Sequence, residues 1–165
     1  MLIYLSLGSN TGNREKNIYD ALNRLNNSSV KVLKASAVYQ TEPVGYKHQP
    51  DFYNAAVKAE TELLPFELLD VIKSIEKSMG RKQAGTRRWG PRIIDIDIVF
   101  YGNIMINSGR LIIPHAEMQK RLFVLVPLTE IAGNFVHPGL KLSIKELVKM
   151  CGNKEKITRI GAVNE

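Results

Sequence analysis

Ile93-Ile94-Asp95-Ile96-Asp97-Ile98-Val99-Phe100-Tyr101 alternates isoleucine with aspartate and then runs apolar to its end. Alternate side chains of a strand share a face. Ile94, Ile96 and Ile98 therefore pack one way, and Asp95 and Asp97 point together the other way. The segment reads as a strand with one face in a core, and it closes a pattern that runs back to the first residues. Residues 2–7 read as a buried first strand, stopped by Gly8-Ser9-Asn10-Thr11-Gly12-Asn13. A helix is expected from about Asn13 to Leu25, because Ile18, Leu22 and Leu25 recur at helical spacing before Asn26-Asn27-Ser28-Ser29 ends it. Val30–Tyr39 has strand character, and Gln40–Asp51, with Pro43, Gly45 and Pro50, has no period. Phe52–Glu62 returns to strand. Pro65 then opens a second helix with Leu68, Leu69, Ile72, Ile75 and Met79 on one stripe. Gly80–Pro91 is a loop without apolar periodicity.

The order is β-α-β, β-α-β with helices of similar length. It predicts an α+β chain of ferredoxin-like βαββαβ topology, an antiparallel sheet with both helices on one face. The remainder reads as an elaboration. A hairpin around Asn107-Ser108-Gly109 joins Ile104–Ile106 to Leu111–Ile113, and short helices follow near 116–132 and 143–150. No linker or repeat divides residues 1–165, so one domain is expected.

A formal net charge of +7 points to an anionic partner: nucleic acid, a membrane surface or a phosphate-rich small molecule. The single Cys151 excludes an intramolecular disulfide and fits a reducing compartment. No run approaches the ~18 apolar residues of a membrane span, and Met1-Leu2-Ile3-Tyr4 lacks the basic region of a signal peptide. The expectation is a cytoplasmic, monomeric domain with no membrane partner.

Two carboxylates on one face of an apolar strand repel each other and lose hydration. Either the face is open to solvent, or arginines or a hard divalent ion offset the charge. Mg²⁺ commonly takes one or two carboxylates together with substrate phosphates. The surroundings favour the cation: Arg81, Lys82, Arg87, Arg88 and Arg92 lie between Gly80 and Ile93, with no acidic residue among them. Metal on one side and guanidinium forks on the other is the environment of a nucleotide polyphosphate. His115, Lys120 and Arg121, with Arg110 before them, add cations. Glu76 borders the apolar helix face; it either holds a basic side chain, touches a nucleotide, or is an ordinary solvated helix glutamate. Trp89, Phe52, Tyr53 and Phe123 fall at element edges, where a flat ligand stacks. Asn54 offers an amide to a heteroaromatic edge. Zinc is not expected, since no second histidine or cysteine stands at metal spacing.

Arg88-Trp89-Gly90-Pro91-Arg92 followed by Asp95-Ile96-Asp97 resembles the signature of the 6-hydroxymethyl-7,8-dihydropterin pyrophosphokinases of folate synthesis. Leu7-Gly8-Ser9-Asn10, Tyr39–Gly45, Gln49–Ala56 and Pro114-His115 with Arg121 also match, in order, over nearly the whole chain. The resemblance implies attack of a pterin hydroxymethyl oxygen on the β-phosphorus of ATP, moving diphosphate and releasing AMP. It implies that Asp95 and Asp97 bind two Mg²⁺ ions and that Asp97 assists deprotonation. Arg92 would steady the transferred group. Glu76, Trp89, Arg92, Ile98, Arg110, His115 and Arg121 would contact ATP. Thr41, Val44, Phe52, Asn54, Trp89 and Phe123 would form the pterin pocket. Loops 9–13, 44–50 and 81–90 would close over the nucleotide. Ala116, Ile112 and Lys73 depart from the resemblance, standing where an aromatic, a threonine and an uncharged polar residue occur.

Nucleic acid is not expected as a partner. RNA-binding sheets of this topology display aromatics on two central strands, and no such run exists here. Transfer of the γ-phosphoryl group alone stays open to the residue chemistry; the resemblance selects diphosphate.

Overall fold

The computed structural model describes residues 1–80, 90–152 and 154–163. Its elements are β1 (Leu2–Ser9), α1 (Arg14–Asn26), β2 (Val30–Ala35), β3 (Val38–Thr41), β4 (Phe52–Thr61), α2 (Pro65–Ser78) and β5 (Asp95–Tyr101). A two-residue hairpin of β6 (Ile106–Asn107) and β7 (Ile112–Ile113) follows, then α3 (Leu122–Ala132), α4 (Ile144–Met150) and β8 (Ile157–Gly161). The main sheet runs β5-β1-β4-β3-β8, with β2 also on β4, and every pairing is antiparallel. This is the ferredoxin-like order, extended at one edge by β8.

Local chemistry sets the helix ends. The Asn13 side chain accepts from the Lys16 backbone N–H (3.0 Å) and caps α1. Pro65 occupies the first turn of α2, where its missing N–H costs nothing, and Gly80 at φ +94° ends that helix in the left-handed region. Ser143 and Glu146 cap α4 reciprocally: Glu146 Oε2 accepts from the Ser143 N–H (2.7 Å), and Ser143 Oγ accepts from the Glu146 N–H (3.3 Å).

The core has two parts, one on each side of the sheet. Ile3, Leu5 and Leu7 of β1, Val57 and Ala59 of β4, and Ile96 and Ile98 of β5 meet Ile18, Leu25, Leu68 and Ile72 of the first two helices. On the other side Tyr4, Ala56, Val99 and Phe100 pack under Leu125, Leu128, Ile144 and Leu147. Phe100 stands edge-on to Tyr4 at 6.1 Å and lies 4.7 Å from the Phe135 ring. Burying such side chains stabilises the fold by about 2 kcal/mol each.

The second face is only half covered. Along β1 it reads Tyr4, Ser6, Gly8; along β4, Ala56, Asn54, Phe52; along β5, Phe100, Asp97, Asp95. Ser6 pairs with Asp97 and Ala56, and Gly8 pairs with Asp95 and Asn54. The change from apolar to small or polar thus falls at nearly one level across three neighbouring strands. The apolar ends lie under α3 and α4, and the rest remains for a pocket.

Several boundaries differ from the sequence reading. The expected strand Val30–Tyr39 breaks at Ser36-Ala37, and the pairing with β4 shifts register across the break. Side chains complete the ladder there: Ser36 Oγ accepts from the Ala56 N–H (2.9 Å), and Glu130 Oε2 accepts from the Ala37 N–H (2.8 Å). The segment expected as one helix near 116–132 divides into a 3-10 turn at Met118–Lys120 and α3, with Arg121 extended between them (ψ 99°). Strand β8 has no counterpart in the sequence reading, because Thr158-Arg159-Ile160 is exposed and shows no two-residue alternation. Ile93 precedes β5 rather than opening it, and the hairpin strands are shorter than expected.

Candidate active site

A pocket of about 300 Å³ opens on the uncovered half of the sheet. It gathers Thr41, Val44, Phe52, Asn54, Arg92, Asp95, Asp97, His115, Arg121 and Phe123, ten of the residues singled out from the sequence. They come from β3 and the loop after it, β4, β5 and the segment before it, the segment after β7, and the start of α3, so the pocket exists only in the folded sheet.

The carboxylate end is built on β5. Asp95 and Asp97 stand on the face predicted for them, 26% and 39% exposed. Arg92 Nη1 donates to Asp95 Oδ2 at 2.8 Å. His115 Nε2 lies 4.0 Å from Asp97 Oδ2. The histidine is brought there by a bulge in β5: the pairing with β1 shifts at Tyr4/Leu5, which leaves Val99 as the extra residue, and the Val99 carbonyl accepts from the His115 N–H (3.1 Å). Desolvation by the pocket walls, then the charge of Asp95, pushes the Asp97 carboxyl well above the usual range, against Lys73 and Arg121. Desolvation and then Arg121 hold the His115 ring below its ordinary value, so it is neutral near pH 7.

A carboxylate pair so crowded fits a hard divalent ion, which removes the repulsion. Among the described residues no three His, Cys, Asp or Glu side chains group to hold a metal. A cation at Asp95 and Asp97 would therefore complete its shell with ligand or water oxygens, as Mg²⁺ does.

The other end is flat and amide-bearing. Phe52 and Phe123 line it together with Asn54 and Thr41. Asn54 is 3% exposed, and its Nδ2 donates to Thr41 Oγ1 at 2.7 Å, which fixes the amide orientation. Ser6 and Gly8 of β1 form the floor between the two ends. A Cβ at Gly8 would stand 3.0 Å from Asn54 Oδ1 and 3.7 Å from Phe52 Cδ1, so the absent side chain keeps the slot open.

Other expected residues lie elsewhere. Glu76 is 2% exposed; its Oε1 accepts from the Ile96 N–H (2.8 Å), and its Oε2 accepts from Lys73 Nζ (3.1 Å). It thus ties α2 to the outer edge of β5 between the two aspartates. The Ile98 side chain is buried on the helix side of the sheet, so only its backbone can meet a ligand. Arg110 is paired with Asp70 over the Phe66 ring, on the outside of α2. Tyr53 faces away from the pocket under the Arg14 guanidinium, 4.0 Å from its ring centroid. Trp89 and the loop cations Arg81, Lys82, Arg87 and Arg88 lie outside the described residues. Ser6, Gly8, Glu42, Lys73 and Gly90 also line the pocket. For Ser6 and Gly8 a signal existed: they alternate with Leu5 and Leu7 on the first strand.

Sheet topology and pocket together define an α+β protein of ferredoxin-like fold whose open face joins a carboxylate pair and cations to an aromatic slot. Comparison with known proteins carries this further. Residues 4–133 match the model of the 7,8-dihydro-6-hydroxymethylpterin-pyrophosphokinase (HPPK) family. The 2-amino-4-hydroxy-6-hydroxymethyldihydropteridine pyrophosphokinase of Haemophilus influenzae is 42% identical over 155 residues, 93% of this chain and 95% of that one. The Bacillus subtilis protein of the same name is 45% identical over 131 residues, 79% and 77% of the two chains. The folic acid synthesis protein fol1 of Pneumocystis carinii is 50% identical over 142 residues, but this chain spans only 19% of its length. The crystal structure of wild-type Plasmodium falciparum HPPK-DHPS shares the fold, with a TM-score of 0.71 over 90% of this chain and 44% of that one at 18% identity. The chain belongs to the HPPK family.

Proposed function

We propose that the chain transfers diphosphate from ATP to the hydroxymethyl oxygen of 6-hydroxymethyl-7,8-dihydropterin and releases AMP, a step of folate synthesis. The observation that carries this reading is a single pocket with paired carboxylates and cations at one end and Phe52, Phe123 and Asn54 at the other. A polyphosphate and a flat heteroaromatic alcohol are the ligands whose chemistry fits those ends. The names of the Haemophilus influenzae and Bacillus subtilis relatives support the same reaction.

In the proposed reaction a bond forms between the pterin hydroxymethyl oxygen and the β-phosphorus. The bond from that phosphorus to the α–β bridging oxygen breaks, and AMP leaves with the oxygen. Phe52 and Phe123 would hold the ring between them while Asn54 and Thr41 read its edge. Asp97 would take the hydroxymethyl proton. Arg92 and Arg121 would meet the charge on the phosphate oxygens. Asp95 and Asp97 would hold Mg²⁺, two ions in this reading, which when bound neutralises and aligns the phosphates. His115, neutral and beside Asp97, would donate a hydrogen bond to phosphate.

Ile98 would meet the adenine through its backbone: the Ile96 N–H faces the outer edge of β5, and strand alternation turns the Ile98 groups the same way. Glu76 would then act next to the nucleotide, and in this reading Arg110 and Trp89 would contact it as well. The reading takes the enzyme as a monomer. Among the described residues no helix is long and apolar enough to cross a membrane, and the reading places the enzyme in the cytoplasm.

The test is AMP release at saturating ATP, Mg²⁺ and pterin. Wild type is expected to form AMP only when all three are present, and an Asp95→Ala/Asp97→Ala variant to lose at least a thousandfold in rate. AMP formation that survives either metal chelation or the double substitution would contradict the reading.

A further inference from the structure

Asn10 follows the last residue of β1 and is 1% exposed. Its Nδ2 donates to Gln49 Oε1 (2.9 Å) and to the Pro50 carbonyl (3.1 Å). Its Oδ1 accepts from the Arg92 N–H (2.7 Å), and its own N–H donates to the Arg92 carbonyl (3.0 Å). Both amide protons and the amide oxygen are therefore used, and they join two later segments, 39–40 and 82 residues along the chain. Each segment leads to one end of the pocket. Gln49 Nε2 donates to the Tyr46 carbonyl (2.6 Å), which ties down the loop that leads into Phe52 three residues later. Arg92 holds Asp95 Oδ2 at 2.8 Å. A continuous line of hydrogen bonds runs from Tyr46 through Gln49, Asn10 and Arg92 to Asp95.

We infer that Asn10 is a positioning residue that sets Arg92 and the Asp95 carboxylate relative to the loop entering the aromatic slot. This rests on the function proposed above. Only a side-chain amide of this length can donate twice toward Gln49 and Pro50 while accepting from Arg92. A carboxylate keeps the contact with Arg92 and loses both donations; an aliphatic side chain loses all three side-chain bonds and keeps only the backbone N–H bond to Arg92. The consequence lies in turnover more than in binding. The line ends on groups that face the transferred phosphate, where a shift of a fraction of an ångström costs rate while the nucleotide still binds.

The experiment compares Asn10→Asp, Gln49→Ala and the double variant in AMP formation, together with their thermal unfolding. For Asn10→Asp kcat is expected to fall at least tenfold, with KM for ATP within threefold of wild type. Gln49→Ala is expected to give a smaller fall in kcat of the same kind. The double variant should be no slower than Asn10→Asp alone, because both act through one line. Unchanged kcat in both single variants, or losses that multiply in the double variant, would overturn the inference, as would a drop in melting temperature without a change in kcat. If Asn10→Asp does not fold, Gln49→Ala decides alone: a fall in kcat of threefold or more at constant KM for ATP supports the inference, and wild-type kcat overturns it. Absence of AMP from wild type would instead count against the proposed function, so the two failures are distinguishable.

Discussion

Gly8 shows how one missing side chain shapes the pocket. It faces Asn54 on one neighbouring strand and Asp95 on the other, and an added Cβ would come within 3.0 Å of Asn54 Oδ1. Asn54 is held by Thr41 and cannot give way without losing that bond. Gly8→Ala is therefore expected to raise KM for the pterin at least tenfold and to leave KM for ATP within threefold. Equal changes in both constants would contradict this division of the pocket. Glu76 makes a second case at this scale. A buried carboxylate that accepts from the Ile96 N–H holds the strand between the aspartates. Glu76→Ala leaves that N–H unpartnered and is expected to cost about 1–3 kcal/mol of stability, read as a fall in the denaturation midpoint, with a larger loss of activity than Glu76→Gln. The sequence left Glu76 among three roles: holding a cation, touching a nucleotide, or lying solvated on the helix. Its 2% exposure rules out the last and the bond to Lys73 fits the first; the backbone contact was invisible because it joins residues twenty positions apart.

At the scale of elements, what the sequence disclosed depended on whether apolar period alone decides the outcome. β1, β4, β5 and both helices of the first core carry long periods and were legible to within a few residues. The break between β2 and β3 was not, because it depends on Glu130 of α3, whose carboxylate accepts from Ala37, Tyr39 and Arg159. Burial by itself raises the Glu130 carboxyl, and the bonds from Tyr39, Ala37 and Arg159 outweigh it and hold the group below its ordinary value. Such a group adds stability above the ordinary carboxylate range and loses it as pH falls through the lower folded-state value. Glu130→Gln is thus expected to be less stable than wild type at neutral pH, with the difference shrinking below the usual glutamate pKa of about 4.3. Thermal melts of the two proteins across that range check this; a constant difference would show that the carboxylate charge contributes nothing. β8 reaches the same residue through Arg159 and pairs with β3 along its backbone, neither of which apolar alternation reports.

For the whole molecule, the site is the part of the sheet that α3 and α4 leave uncovered. The aspartate pair and the aromatic positions could be recognised one at a time, but their union required the strand order β5-β1-β4, which places Gly8 between Asp95 and Asn54. The Ile98 and Arg110 side chains do not line this pocket, and the sequence did not show it for the same reason: the face a side chain takes, and the partner it finds in Asp70, are properties of the assembled fold. In the proposed reaction this one pocket moves two phosphorus atoms together. The most direct measurement is ³¹P NMR of the products formed from ATP, Mg²⁺ and 6-hydroxymethyl-7,8-dihydropterin. AMP together with a pterin ester carrying two coupled phosphorus resonances is the predicted result; ADP with a single-phosphorus ester would contradict it.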